Sequence, residues 1–133
     1  PSIAHLLLLY AGTVSHARAQ ILVDQLKDKS TFGLQHPIPS VPKNSNYFQP
    51  EKYWQGPAWI NTNWLVHDGL IRYGFEEEAK AIRNNSIDLV EKHGCYEYFD
   101  PTDSSPAGAE GFSWTAALTI DFVYNDPKRK PKD

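Results

Sequence analysis

The segment from Tyr53 to Trp64 concentrates side chains that could bind a carbohydrate. It reads Tyr-Trp-Gln-Gly-Pro-Ala-Trp-Ile-Asn-Thr-Asn-Trp and holds three of the four tryptophans of the chain. Sugar rings present C–H faces that stack on aromatic rings, while their hydroxyl groups need amide or carboxylate partners. The candidate substrate-binding residues are therefore Trp54, Gln55, Gly56, Trp59 and Asn61, with Asn63 as a further amide and Trp114 from later in the chain.

Core packing is the alternative interpretation of the same tryptophans. Trp54 and Trp59 lie on either side of a Gly-Pro pair at a predicted helix start, where free backbone N–H groups are available. Spacing does not separate a sugar platform from a packed pair, so both interpretations stand. Trp64 follows Ile60 by one helical turn, and we predict that it is a core residue.

Glu97 is the candidate catalytic residue. It alternates with Tyr96 and Tyr98 on a short extended segment. Aromatic neighbours would partly desolvate the carboxylate, which suits acid–base work. An exposed strand glutamate is the alternative. We interpret Asp100 as a turn former and Glu110 as solvated, so the sequence offers no second carboxylate placed to work with Glu97.

Helices joined by aromatic and proline-rich loops must position these residues. Apolar periodicity predicts helices over about 2–10, 15–28, 57–73, 76–93 and 113–124. Ser15 and Ser113 are candidate caps, Pro57 suits a first helical turn, and Gly74 and Gly94 are stop signals. Between the helices we predict a long loop over 32–53, an extended piece over 95–99 and a loop over 100–111.

Length, charge and residue usage limit the classes of partner that the sequence suggests. A chain of 133 residues is one domain at most, and a net charge of −3 does not suggest a nucleic-acid partner. The apolar run from Ile3 to Tyr10 is too short to span a membrane. The single Cys95 is typical of a reducing compartment, so we predict a cytoplasmic protein. The five histidines lack metal-ligand spacing, and we predict neither a metal nor a cofactor.

Three motifs in this order resemble glycoside hydrolase family 63, and within it the bacterial mannosylglycerate and glucosylglycerate hydrolases. They are the segment 53–64, Glu97-Tyr98-Phe99-Asp100-Pro101 and Phe112-Ser113-Trp114-Thr115-Ala116-Ala117-Leu118. The resemblance runs from about Leu8 to Phe122. It implies an all-α fold, the C-terminal portion of an (α/α)6 barrel with four to five helices and long loops. Residues 1–126 would form this part, and 127–133 would be a disordered basic tail.

The resemblance also implies an inverting α-glycosidase that acts on a carbohydrate substrate such as glucosylglycerate, mannosylglycerate or a short α-glucoside. Glu97 would be its general base, and Trp54 and Trp59 would line the sugar subsite. Relatives often carry Arg where this chain has Gln55, a departure that affects one polar contact. The general acid of the family is an Asp far upstream, which has no counterpart in this chain.

Inversion needs two carboxyl groups about 6.5–9.5 Å apart, and one of them is missing here. The opening on Pro1, without an initiator Met, also suggests part of something longer. We therefore expect a fragment that is inactive alone and needs the missing N-terminal half of the barrel or a partner chain. The alternatives are a non-catalytic sugar-binding module and a helical interaction fragment with exposed apolar faces.

Overall fold

The computed structural model describes residues 1–125, which form five helices and a two-stranded sheet. In chain order these are α1 (Ile3–Ala11), α2 (His16–Lys27), α3 (Ile60–Arg72), α4 (Glu76–His93), β1 (Tyr96–Phe99), β2 (Pro106–Glu110) and α5 (Ser113–Tyr124). The mostly helical architecture is as predicted, while the tail over 127–133 lies outside the described residues. No helix in the described part is long and apolar enough to cross a membrane.

Local signals end or begin several helices where the sequence indicates. The Ser15 hydroxyl accepts a hydrogen bond from the Arg18 amide at 3.4 Å and caps α2. Gly74 and Gly94 take φ values of +83° and +91° just past α3 and α4, a backbone conformation that glycine adopts without a steric penalty. The predicted bounds of α4 are confirmed at both ends.

One predicted helix start and one predicted cap are wrong. Helix α3 begins at Ile60 rather than at Pro57, because residues 57–59 stay extended. The Ala58 amide donates to the Phe99 carbonyl at 2.8 Å, and the Phe99 amide donates back to Ala58 at 2.9 Å. Ser113 is the first residue of α5 and not its cap, since Phe112 occupies the cap position without a side-chain hydrogen bond.

The predicted loop over 100–111 contains a strand that the sequence did not indicate. Strand β2 pairs antiparallel with β1, and isolated bridges join Ala58 to Phe99 and Pro39 to Ala58. The result is an extended layer of four segments, which are 37–40, 57–59, β1 and β2. This layer brings the tryptophan-rich segment alongside Glu97.

The long loop over 32–53 is held against this layer by backbone contacts. The Ser40 amide donates to the Pro57 carbonyl at 3.0 Å, and the His36 amide donates to the Pro101 carbonyl at 3.0 Å. Asn63 is fully buried below it and bonds the Ile38 amide, the Pro37 carbonyl and Ser86. Asn63 therefore joins α3 to the loop and to α4, and its amide is not available to a ligand.

The apolar core has two parts on either side of α3. The larger part lies among α1 to α4 and includes the buried apolar stripe of α2. The members of this larger part are Ile3, Leu6, Leu9, Ala19, Leu22, Val23, Leu26, Phe32, Ile38, Val66, Leu70, Ala79 and Ile82. The smaller part consists of Ile60, Leu89, Phe99 and Phe122, and it anchors β1 and α5. Trp64 packs against this smaller part, as predicted. Glu97 thus lies on a strand whose last residue is fixed in the core.

Candidate functional site

Two stacked indole rings form the centre of the candidate site. The ring centroids of Trp54 and Trp59 lie 4.1 Å apart, and their planes differ by 4°. Trp59 is 2% exposed, whereas Trp54 is 41% exposed. The indole N–H of Trp59 donates to the Tyr53 carbonyl at 3.0 Å, which fixes the lower ring. Trp59 therefore supports Trp54, and the face open to solvent belongs to Trp54.

Tyr53 and Tyr98 complete this group, and the four rings are named the aromatic cluster. Tyr53 stands edge-on to Trp59 with centroids 5.0 Å apart, and edge-on to Tyr98 with centroids 5.7 Å apart. Tyr98 also packs on Trp59 at 5.0 Å. Edge-to-face and stacked rings at such distances attract each other beyond the area they bury. Neither tyrosine was among the candidates, although each adjoins a candidate in sequence.

The backbone of Tyr53 has a positive φ of 37°. For a residue other than glycine this conformation costs of order 1–3 kcal/mol, and such residues cluster at functional sites. The strained turn keeps half of the Tyr53 side chain exposed at the edge of the aromatic cluster. It also presents the hydroxyl group of Tyr53 to a neighbouring carboxylate.

That carboxylate is Glu97, which lies on β1 and is partly buried. Desolvation raises the pKa of Tyr53 above its usual 10.0, and the charge and hydrogen bonding of Glu97 raise this pKa further. Tyr53 is therefore protonated at neutral pH and can donate to the carboxylate. On its other side, Glu97 Oε2 accepts from the Ala109 amide at 3.1 Å. The structure thus brings Glu97 and the aromatic cluster together.

Three further candidates come after Trp54 in the chain and are less exposed than its ring, namely Gln55, Gly56 and Asn61. Gly56 is buried and donates its amide to Ser40 Oγ at 3.0 Å, and a Cβ atom there would overlap the carbonyl oxygen of Gln49. Asn61 is 5% exposed, and its Oδ1 accepts from the Thr62 amide at 2.7 Å. The Gln55 side chain is only partly buried. Gly56 and Asn61 therefore have packing roles, and ligand binding by all three stays a prediction.

Trp114 lies in the first turn of α5, and its side chain is 53% exposed. The neighbouring Thr115 hydroxyl donates to the Tyr96 carbonyl at 2.8 Å, which ties this turn to β1. Within residues 1–125, no ring contact joins Trp114 to the aromatic cluster. Trp114 is thus a separate exposed ring, and its part in sugar binding stays a prediction.

Asp100 and Glu110, the two other carboxylates considered from the sequence, behave differently from Glu97. Asp100 is 6% exposed, and its Oδ1 accepts from the Thr102 amide at 2.7 Å and from the Thr102 hydroxyl at 2.6 Å. It is a turn former, as interpreted from the sequence. Glu110 ends β2 and is exposed. Across residues 1–125, no three His, Cys, Asp or Glu side chains are grouped to hold a metal ion.

Comparison with known proteins matches residues 1–115 to the family described as the mannosylglycerate hydrolase MGH1-like glycoside hydrolase domain. The chain is 40% identical over 120 residues to a mannosylglycerate hydrolase from Thermus thermophilus, a match that covers 88% of this chain and 28% of that protein. It is 31% identical over 121 residues to a glucosylglycerate hydrolase from Mycolicibacterium hassiacum, with coverage of 86% and 27%. The chain therefore spans less than a third of the length of these relatives.

The same likeness holds in three dimensions. A crystal structure of the family 63 mannosylglycerate hydrolase from Thermus thermophilus in complex with glucose matches with a TM-score of 0.88 and 37% identity. The match covers 92% of this chain and 31% of that one. A structure of the same enzyme in complex with Tris and D-glycerate also has a TM-score of 0.88. The resemblance to family 63 and the assignment to part of its helical domain are both confirmed.

Proposed function

This chain belongs to the family of the mannosylglycerate hydrolase MGH1-like glycoside hydrolase domain, and from that premise we propose that Glu97 is the general base of an inverting α-glycosidase. The substrate is a small α-glycoside of the mannosylglycerate or glucosylglycerate class, as the names of the relatives suggest. The chain carries the base and one wall of the sugar site. A cytoplasmic location belongs to the same proposal and is supported by the single Cys95.

The observation that carries the proposal is the contact between one carboxylate and the edge of the aromatic cluster. The open face of Trp54 suits the C–H face of a sugar ring, while Glu97 and the Tyr53 hydroxyl suit polar partners. Tyr53 keeps its proton at neutral pH, so it is a hydrogen-bond donor to the Glu97 carboxylate. A carboxylate oriented in this way is fit to take a proton from a water molecule.

In the proposed step, water attacks the anomeric carbon as Glu97 takes its proton. The bond to the leaving oxygen breaks on the opposite face, and a carboxylic acid on that side protonates the leaving oxygen. The two carboxyl groups must lie about 6.5–9.5 Å apart to admit the water. We propose that the acid belongs to a part of the catalytic domain outside this chain, since the chain covers 28% of the Thermus thermophilus relative. This chain and that part of the catalytic domain together are called the assembled enzyme.

Replacement of Glu97 by Gln tests the proposal in the assembled enzyme. The amide retains the size of the side chain but cannot accept the proton, so kcat for mannosylglycerate should fall by about 10²–10⁴-fold while KM changes little. Glu110→Gln is the matched control, because Glu110 is an exposed glutamate on the paired strand. It should leave kcat within a few-fold of the parent. Near-normal turnover by the Glu97 variant would refute the assignment.

For the 133-residue chain by itself, sugar binding without hydrolysis is the second candidate function. It is favoured by the exposed ring of Trp54 and by the use of Asp100 Oδ1 in its own turn. A titration of the isolated chain with glucose or D-glycerate would detect this binding. Release of sugar from mannosylglycerate by the isolated chain would replace the binding function with catalysis.

A further inference from the structure

The pairing of β1 with β2 is irregular at Glu97, the proposed general base. Tyr96 pairs with Glu110, and Tyr98 pairs with Ala107. On β1 one residue lies between these pairs, namely Glu97, whereas β2 has two, Gly108 and Ala109. Two residues opposite one define a β-bulge, which locally bends a strand and redirects its groups.

The bulge redirects a backbone donor onto the Glu97 side chain. The Ala109 amide donates to Glu97 Oε2 at 3.1 Å, a normal length for an N–H···O hydrogen bond. Hydrogen bonds from backbone amides to ionised carboxylates are stronger than those between neutral groups. A carboxylate has about four lone-pair sites, so this anchor leaves sites for the Tyr53 hydroxyl and for a water molecule.

Gly108 makes this geometry possible in two ways. Its φ of +75° is the left-handed conformation that the first residue of a G1 bulge requires, and glycine adopts it without a steric penalty. A Cβ atom at Gly108 would lie 2.6 Å from Glu97 Cβ and 2.7 Å from Glu97 Oε2. It would also lie 2.8 Å from Tyr98 Cε1, so three atoms of the site would have to move. A side chain at this position is therefore incompatible with the present positions of the backbone and of the Glu97 carboxylate.

We propose that Gly108 and Ala109 are positioning residues that fix the Glu97 carboxylate in its proton-accepting orientation. The inference rests on the proposed function of Glu97. A glutamate side chain has several rotatable bonds, and a fixed strand amide holds it in one direction before substrate binds. Pre-set orientation of a catalytic group lowers the barrier, and misplacement by about 1 Å can reduce the rate by roughly 10²-fold.

Amide NMR of the full chain tests the anchor without any need for turnover. The Ala109 amide resonance should shift with pH as the Glu97 carboxyl group titrates, because its proton is donated to that group. The Glu97→Gln variant should lose this shift, while amides far from the hairpin behave as in the parent. An Ala109 amide that does not respond to pH, or responds equally in the variant, would overturn the anchor.

Kinetics of two glycine variants test the consequence of the anchor in the assembled enzyme. Gly108→Ala should reduce kcat for mannosylglycerate by roughly 10²-fold, with KM within a few-fold. Gly111→Ala is the matched control, since Gly111 has a similar φ of +69° but open space around its Cβ position. The control carries the same backbone strain and should retain kcat within a few-fold.

The possible outcomes separate the two proposals. Equal losses of kcat in both glycine variants, or no loss in Gly108→Ala, would overturn the positioning role. If Gly108→Ala does not fold, the pH response of the Ala109 amide decides whether this amide anchors the Glu97 carboxylate. If Glu97→Gln retains full turnover, the assignment of Glu97 as the general base is wrong, even where the amide response confirms the anchor.

Discussion

The β1–β2 hairpin carries two polar sites that differ in what surrounds them. Glu97 lies on β1 beside the half-exposed Tyr53, which in turn contacts Trp54, and its carboxylate is within reach of a ligand. Ser104 lies in the connection between the strands and is 1% exposed. Its hydroxyl is 3.0 Å from Lys92 Nζ and 3.0 Å from His93 Nε2. The first site is open and the second is closed.

Both sites contain a residue other than glycine with positive φ, yet the strain has different consequences. Tyr53 has a φ of 37° and its ring lies partly in solvent, whereas Ser104 has a φ of 73° and donates its amide to the Asp100 carbonyl at 3.0 Å. Through Lys92 and His93, Ser104 ties the hairpin to the end of α4. Unusual backbone geometry therefore marks both a candidate site and a structural anchor, and exposure distinguishes them.

Substitutions in the tryptophan pair have the largest expected effects at the open site, on stability for Trp59 and on glycoside binding for Trp54. Trp59→Ala should destabilise the fold by about 3–5 kcal/mol, because a large side chain that is 2% exposed is removed from its packing. Trp54→Ala should cost much less stability but weaken glycoside binding roughly tenfold, or about 1.4 kcal/mol. Chemical denaturation and calorimetric titration measure the two quantities on the same samples. Lost stability with unchanged affinity in both variants would establish the core-packing interpretation.

The closed site should show a smaller effect that depends on pH. Desolvation lowers the pKa of His36 below its usual 6.5, and the nearby Lys92 and His93 lower it further, although Asp103 and Asp100 oppose this. Below about pH 6.5 the unfolded chain therefore binds a proton more readily than the folded one. The free energy of unfolding should decrease as the pH falls through about 6.5 and below.

Denaturation at several pH values checks this prediction, with His36→Gln as the comparison. The variant cannot titrate at this position, so its stability should fall less steeply between about pH 7 and pH 5. A wild-type protein that gains stability on acidification relative to the variant would contradict the assigned direction. Sugar affinity of the variant should not change, since the charged groups that act on His36, among them Lys92 and His93, surround the closed site and not Glu97.

Sequence reasoning succeeded where the determinants are local. Helix α4 could be predicted at both ends because its acidic first turn and Gly94 are short-range signals. The stripe of α2 follows from helical periodicity alone. The motif around Glu97 also indicated the family, which the comparisons confirm. The catalytic role of Glu97 and the binding roles of Trp54 and its neighbours stay predictions.

The failures at α3, at β2 and at Tyr53 involve contacts between distant parts of the chain. Helix α3 starts late because Ala58 is bonded to Phe99, forty-one positions away in sequence. Strand β2 has the composition of a loop, and its pairing depends on β1 and on the bulge at Gly108. Tyr53 was overlooked because its place beside Glu97 follows from the same long-range pairing. Neither periodicity nor turn chemistry contains this information.

The anomer of the first sugar released from mannosylglycerate tests the central claim most directly. The assembled enzyme should release the β-anomer first, because water activated by Glu97 attacks from the face opposite the leaving group. Proton NMR of the reaction, recorded faster than mutarotation, identifies this product. Initial release of the α-anomer would indicate a covalent intermediate and would contradict the role of Glu97 as a general base.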